Sequence, residues 1–270
     1  MLNEFSFGQI YIRHAVDNCP DDKYFTMHIH EQCEIYLFLS GNVEYLVEGS
    51  KYPLDESCLM IMRPAEAHKP KIVGTERYER YALNFPVSFA RHMDSEGRLI
   101  KAFTERTLGK NNMFSCSEID MQLAEKLFSE MCEATDDYGR KLAINTHLPI
   151  LLDMISRAYT KRKSVEHKPQ STAERIVAYV NNHLFEDISV PKLAEHFYLS
   201  PSQFSRVFRQ ATGAAPWEYI TKKRLTAAKE KISNGVSAQN AAESCGFNDY
   251  STFYRAYTKH FAVSPKSSSK

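Results

Sequence analysis

From about Ile10 to Phe85 the apolar positions come in short runs, each closed by turn-forming residues. Glu34-Ile-Tyr-Leu-Phe-Leu closes at Ser40-Gly41-Asn42, and Val43-Glu-Tyr-Leu-Val-Glu closes at Gly49-Ser50. Two successive antiparallel strands are predicted. Cys58-Leu-Met-Ile-Met runs into Arg63-Pro64, and Arg80-Tyr-Ala-Leu-Asn-Phe into Pro86. Proline cannot donate to a ladder, so it terminates both of these strands. The N-terminal fold class is therefore all-β, a barrel or sandwich. Beyond Pro86 the period changes: Ile119, Leu123, Leu127 and Met131, then Leu142, Ile150, Leu151, Ile155 and Tyr159, recur at helical spacing. Two long amphipathic helices are predicted, packed on the barrel or, for one of them, also forming a dimer seam. Lys163 to Gln170 carries no apolar period and reads as a linker.

The last hundred residues contain a repeat. Leu193-Ala194-Glu195, Phe204-Ser205-Arg206-Val207-Phe208 and Ala215-Pro216 return as Ala241-Ala242-Glu243, Phe253-Tyr254-Arg255-Ala256-Tyr257 and Ser264-Pro265. The offset is 48 before the turn and 49 after it, so one residue is inserted there. Short helix, tight turn and second helix, repeated, is the pattern of paired helix-turn-helix modules, about 188–212 and 237–261. Ser189 and Pro191 open the first short helix, Tyr198-Leu199 form the turn, and Ser200, Pro201 and Gln203 open the second helix as a capping box.

On that second helix Phe204, Val207, Phe208 and Ala211 fall on the buried side, leaving Ser202, Ser205, Arg206 and Arg209 outward. In the second unit Phe247, Phe253, Ala256 and Tyr257 are the buried partners, and Tyr250, Ser251, Tyr254 and Arg255 face outward. An outward Arg can bond guanine O6 and N7 in a major groove, while Lys259 is expected to reach phosphate. A continuous helix from Pro216 to Ser233, stopped by Asn234-Gly235, is expected to hold the two readers about 34 Å apart, with Lys222, Lys223, Arg224 and Lys229 adding phosphate contacts.

Charge sharpens this division. Residues 171–270 hold 13 Lys+Arg against 8 Asp+Glu, whereas residues 1–170 hold 21 against 25, so the basic half coincides with the repeat. The six cysteines, Cys19, Cys33, Cys58, Cys116, Cys132 and Cys245, form no C-x-x-C pair and suggest reduced structural thiols. The N-terminus has no basic region followed by an apolar one, and no run reaches membrane-spanning length, so a cytoplasmic location is expected.

Asp187-Ile-Ser-Val-Pro-Lys-Leu-Ala, Leu199-Ser-Pro-Ser-Gln-Phe-Ser-Arg-Val-Phe-Arg-Gln, Thr212-Gly-Ala-Ala-Pro-Trp-Glu-Tyr-Ile and Cys245-Gly-Phe-Asn-Asp-Tyr-Ser-Thr-Phe-Tyr-Arg-Ala-Tyr resemble the AraC/XylS family of bacterial transcription regulators. The resemblance implies sequence-specific binding to double-stranded promoter DNA, activation through RNA polymerase, and an N-terminal domain that senses a small molecule and dimerises. Two departures stand out. Ala262 replaces the glycine found at Gly213, and the chain lacks a second counterpart of Tyr219, so the last helix is expected to fray.

In the N-terminal half, His28-x-His30-x-x-x-Glu34 with Gly41, and later Pro64-x-x-x-His68, resembles the two cupin motifs. In cupin enzymes such a set holds iron, manganese or zinc; in a sensor the same residues line an organic ligand's pocket or serve as hydrogen-bonded structure. His28, His30, Glu34, Tyr36, Arg63 and His68 are the ligand-binding candidates, and a carbohydrate fits such a lining of polar groups among aromatics. No cofactor, resident metal or catalytic residue is assigned. The expected plan is a cupin-like sensing barrel at 1–90, a helical dimerisation segment at 91–163, a linker at 164–170, and an all-α DNA-binding domain at 171–270. The leading function is a homodimeric, effector-controlled activator; the alternative is a metal-dependent cupin enzyme with a DNA-binding appendage.

Overall fold

The computed structural model describes residues 2–162 and 171–268. The expected linker lies outside them. Strands β1 (Leu2–Phe7), β2 (Ile10–Asp17), β3 (Cys33–Ser40), β4 (Val43–Val47), β5 (Ser50–Leu54), β6 (Cys58–Met62), β7 (His68–Ile72), β8 (Tyr78–Phe85) and β9 (Met113–Phe114) form two antiparallel sheets, ordered β1-β2-β8-β3-β6-β9 and β5-β4-β7. The two sheets share no ladder, so the expected barrel is an open, cupin-like pair of sheets. β3 explains how they are layered. Its Ile35 and Leu37 point into one core with Leu59, Ile61, Leu83 and Phe85, while Tyr36 and Phe38 point into another with Tyr45, Val47, Met60 and Met62. A strand buried on both faces reads as the continuous apolar run seen here.

Helices α1 (Val87–Met93), α2 (Lys101–Thr104), α3 (Met121–Glu133) and α4 (Asp137–Lys161) cover the outer face of the six-stranded sheet. Asp120 and Asp136 cap α3 and α4 by accepting from the Leu123 and Gly139 amides. The buried stripe is Ala124, Leu127, Phe128 and Met131 on α3, with Ile144, Leu148, Leu151, Leu152 and Ile155 on α4. Leu123, Leu142 and Ile150, expected on that stripe, are instead 38%, 52% and 44% exposed. Each turn advances about 100° per residue, so two neighbouring apolar stripes share the same spacing, and contact with the sheet selects one of them.

The C-terminal half contains α5 (Thr172–Asn182), α6 (Val190–His196), α7 (Pro201–Thr212), α8 (Pro216–Ser233), α9 (Ala238–Ser244) and α10 (Tyr250–Phe261). Capping boxes at Ser171/Glu174 and Ser200/Gln203 start α5 and α7. Ile176, Val180, Leu193, Phe204, Phe208 and Tyr219 fill the core of the first helix-turn-helix unit; Leu225, Ala228, Ile232, Ala241, Phe253 and Tyr257 fill that of the second. α8 supplies residues to both cores and is the rigid element between them.

The repeat extends to backbone conformation. Tyr198 and Gly246, the matching turn residues, are both left-handed, and the inserted residue, Asn248, follows in the longer second turn. Gly213 and Ala262 close α7 and α10 with φ of 79° and 57°. A glycine adopts that conformation freely, whereas an alanine does so at about 1 kcal/mol. After α10 a short 3-10 turn at Pro265–Ser268 stands where the first unit continues into α8. Ala262→Gly is expected to stabilise the protein by about 0.5 kcal/mol, after the greater chain entropy of unfolded glycine is allowed for. Gly213→Ala is expected to destabilise it by about 1–2 kcal/mol, because its Cβ would also lie 2.4 Å from Cδ of Lys69. Thermal unfolding of the two variants checks both signs.

Candidate effector cavity and nucleic-acid interface

The inner face of the large sheet is built by alternation. On β2, Ile10 and Ile12 point to the helices while Tyr11, Arg13 and Asp17 point the other way; on β8, Leu83 and Phe85 alternate with Tyr78, Arg80 and Asn84. Register brings the polar set together, with Glu34 opposite Asn84 and Asn84 opposite Tyr11. These residues, with Tyr24, Phe25, Tyr36 and Tyr45, line an open cavity of about 430 Å³. Tyr36 and Tyr78 join hydroxyl to hydroxyl, and Arg80 is paired with Asp17. Nε of Arg13 is buried in this wall without a hydrogen-bond partner among the described residues.

At the end of the cavity His28, His30 and Glu34 of the lining, with His68 buried behind them and outside the lining, bring one donor atom each to within 4.8 Å of one another. Glu34 Oε2 lies 2.8 Å from His30 Nε2, 3.2 Å from His68 Nε2 and 3.2 Å from Asn84 Nδ2. Burial alone would raise the Glu34 carboxyl, but the hydrogen bonds from His30 and His68 outweigh it and hold the group well below the usual carboxylate range. Burial depresses His68, and its bond to Glu34 more than reverses this, so its imidazole is raised. Three imidazoles and a carboxylate around one point fit a first-row transition ion as a donor set.

Arg63 does not reach this cavity. Its side chain donates to the Arg106 carbonyl and its amide to Glu66, within a buried network where Arg106 pairs with Glu66. Arg63 follows the end of β6 beside Pro64, and the turn there carries its side chain into that network instead of the cavity. Tyr11, Arg13, Asp17, Arg80 and Asn84 were missed, although polar residues alternating with Ile10, Ile12 and Leu83 were the available signal.

In the C-terminal half, Ser202, Arg206 and Arg209 are exposed on α7, and Ser205 is half-buried. On α10 Ser251, Tyr254, Arg255 and Lys259 are exposed; Tyr250 is half-buried, its ring centroid 5.7 Å from that of Phe253. Of the basic residues expected to meet phosphate on α8, none stands free. Lys223 is buried against Glu48, Arg224 donates to the carbonyls of Leu184, Glu186 and Gly246, Lys222 bonds Glu218 and the Met27 carbonyl, and Lys229 pairs with Glu31. Helical spacing marked them as basic but could not say which face meets the sensor half.

Residues 14–148 match the model of the AraC-like ligand binding domain, and residues 193–270 match a helix-turn-helix domain model. The chain belongs to the AraC family of transcription regulators. The probable transcriptional regulator LumQ of Photobacterium leiognathi is 27% identical over 245 residues, 90% of this chain and 92% of LumQ. The melibiose operon regulatory protein of Escherichia coli K12 is 21% identical over 89% of this chain and 82% of its own length. The crystal structure of ToxT from Vibrio cholerae O395 covers 96% of both chains at 13% identity, with a TM-score of 0.40, too remote to carry an argument.

In this AraC-family regulator the two halves meet through a buried interface. Met27, Ile29 and Ala67 of the sensor half pack into the core built by Ile176, Val177, Phe204 and Phe208. The tip of the β4–β5 hairpin, Glu48-Gly49, has φ of 48° and 85°, the double left-handed turn that suits a two-residue hairpin. A Cβ on Gly49 would stand 3.0 Å from Val177 Cγ2, so glycine permits the approach to α5. Glu48 then receives Lys223 Nζ at 2.6 Å, the Ala67 amide at 2.7 Å, Asn181 Nδ2 at 2.8 Å, and the Tyr219 hydroxyl. Burial, and next the Glu48 charge, push the Tyr219 phenol well above its ordinary range, so it stays a donor. Lys110 with Glu174, at 2.7 Å, and Lys229 with Glu31, at 3.2 Å, add further ion pairs across the interface.

Removing one partner of a buried pair strands the other charge. Glu48→Ala is therefore expected to cost about 3–5 kcal/mol, and Glu48→Ala with Lys223→Met less than the sum of the single losses. Denaturant unfolding of the double-mutant cycle measures the coupling, and strict additivity would refute the pairing.

Proposed function

We propose that the regulator is a cytoplasmic, homodimeric activator that binds promoter DNA through both helix-turn-helix units, engages RNA polymerase, and responds to a small-molecule effector in the cavity. The observation that carries this reading is the continuity between cavity and reader: His28 and His30 line the cavity on the same short segment whose Met27 and Ile29 enter the core of the DNA-binding half. Relatives that align along most of the chain are described as transcription regulators, which favours regulation over catalysis. No helix among the described residues is long and apolar enough to cross a membrane. A dimer face is supported by Tyr138, Leu142 and Ile150, which are exposed along the outside of α4.

Ser202, Ser205, Arg206 and Arg209 on α7, with Tyr250, Ser251, Tyr254 and Arg255 on α10, are the proposed groove contacts, and Lys259 a phosphate contact. The outward residues differ between the units, so each chain reads an asymmetric pair of adjacent groove segments. The effector is a carbohydrate or similar polyol. Tyrosine faces in the wall suit C–H surfaces, while Arg13, Glu34 and Asn84 supply the donors and acceptors that hydroxyls need. The unpartnered Arg13 Nε supports an acceptor on the ligand.

Arg206→Ala and Arg255→Ala should each weaken binding to DNA selected from a random pool by about 1–3 kcal/mol and relax base preference locally. Lys259→Ala should reduce the salt slope by about 0.9 without changing preference. Unchanged affinity and preference in both Arg variants would defeat the groove assignment. A bound sugar at a hundred times its Kd should add about 2.7 kcal/mol, raising the melting temperature by several degrees in the wild type but not in Arg13→Ala. A broad sugar panel that leaves the melting temperature unmoved removes the carbohydrate reading.

A further inference from the structure

The imidazoles of the cavity cluster are held in one orientation. Nδ1 of His28, His30 and His68 lies 3.2, 2.9 and 2.7 Å from the carbonyl oxygens of Thr26, Gln32 and Glu66. A carbonyl only accepts, so each Nδ1 carries its hydrogen and donates it, which leaves every Nε2 as the atom that meets a metal, once His30 and His68 release the hydrogen that each donates to Glu34. His30 Nε2 and His68 Nε2 both face the Glu34 carboxylate, and all four residues offer a ligand atom within 4.8 Å of the others. Backbone carbonyls fixing the far ring nitrogen are the support that ligating histidines require.

These ligands are carried by the segments that touch the DNA-binding half. His28 pairs with His68 as an isolated antiparallel bridge, and the His30 carbonyl accepts from the Ala65 amide at 2.8 Å. The Ala65 carbonyl in turn accepts from Lys223 at 2.8 Å, and Ala67, next to His68, lies in the first helix-turn-helix core. Along 27–30 the side chains alternate between that core and the cluster.

We propose that His28, His30, Glu34 and His68 bind a single first-row divalent transition-metal ion, and that segment 27–30 transmits its binding to the first helix-turn-helix unit. The proposal rests on the cavity being the effector site and names a ligand class for the end where the histidines stand. Metal–ligand bonds of about 2.0–2.2 Å place donors no more than about 4.4 Å apart, so closure around the ion draws the cluster in by roughly half an ångström. His28 and His30 cannot move inward without shifting Met27 and Ile29 in the core they share with α5 and α7. Four protein donors leave positions of a six-coordinate ion open toward the cavity, where oxygens of an organic effector fit.

The test uses the full chain, stripped with chelator, equilibrated with Zn(II), Ni(II), Mn(II) or Co(II), and freed of unbound metal by gel filtration. The wild type is expected to keep about one ion per chain by elemental mass spectrometry, with a visible Co(II) band, and His28→Ala/His30→Ala less than about a tenth. Loading should slow hydrogen exchange in α5 and α8 about five-fold or more in the wild type and leave the double variant unchanged. His28→Ala alone, at the exposed rim, provides a variant in which metal loss does not require loss of a buried side chain. Sub-stoichiometric metal in the wild type, or equal metal in the variants, overturns the site; bound metal with unaltered exchange overturns its transmission. A wild type that takes up no metal yet binds selected DNA refutes the metal site and leaves the regulator standing. A wild type that binds no DNA under any loading strikes the regulator reading, while its metal content still decides the site.

Discussion

One buried carboxylate, Glu48, governs how the two halves of this regulator sit together. It belongs to a hairpin tip of the sensor half, yet three of its four hydrogen-bond donors, Lys223, Asn181 and Tyr219, come from the DNA-binding half. A carboxylate removed from water at this depth persists only when its lone pairs are met, and here each oxygen accepts twice. The left-handed backbone of Glu48-Gly49 is what delivers it, because that turn folds the hairpin tightly enough to press Gly49 on Val177. Met27, Ile29 and Ala67 add the apolar part of the same contact. Lys223, which looks in sequence like one more basic residue of a DNA-binding helix, is instead committed to the sensor.

The same contact gives α8 a double role. Its first turns hold Tyr219 in the first helix-turn-helix core, its later turns hold Leu225 and Ile232 in the second, and Lys223 between them reaches the sensor. Arg224 then ties α8 to the turn of the second unit through the Gly246 carbonyl. A displacement at the hairpin or at segment 27–30 therefore acts on the element that sets the spacing of both readers. The contact is a packed core with buried hydrogen bonds, the kind of contiguous network through which coupling between sites travels. The outward faces of α7 and α10 remain exposed in this docked form, so docking and an open reading surface coexist.

Much of this was legible in the chain. The repeat of Leu193–Pro216 in Ala241–Pro265, the caps at Ser189 and Ser200, and the stop after Ser233 define the helices of the second half, because caps and turns are local chemistry. His28, His30, Glu34 and His68 could be singled out because motif spacing and strand alternation are also local. Arg63 shows the limit: one residue past the end of β6, a turn decides where a side chain points, and alternation no longer applies. Leu123 and Leu142 show a second limit, since helical spacing is satisfied by more than one stripe.

The sequence by itself determined strands β3, β4, β6 and β8, the helices of the second half, that the helix-turn-helix unit occurs twice, and the histidine and carboxylate set that ends up beside the cavity. Periodicity and capping act over a few residues and leave their mark in the order of side chains. Only the tertiary structure decided that the sheets stay open, that Tyr11, Arg13, Arg80 and Asn84 share a wall with the histidines, and that Lys223 of α8 faces a buried carboxylate instead of solvent. Those outcomes depend on pairing between residues as far apart as Glu48 and Lys223, and the burial that makes such a pair strong exists only once both halves have folded against each other.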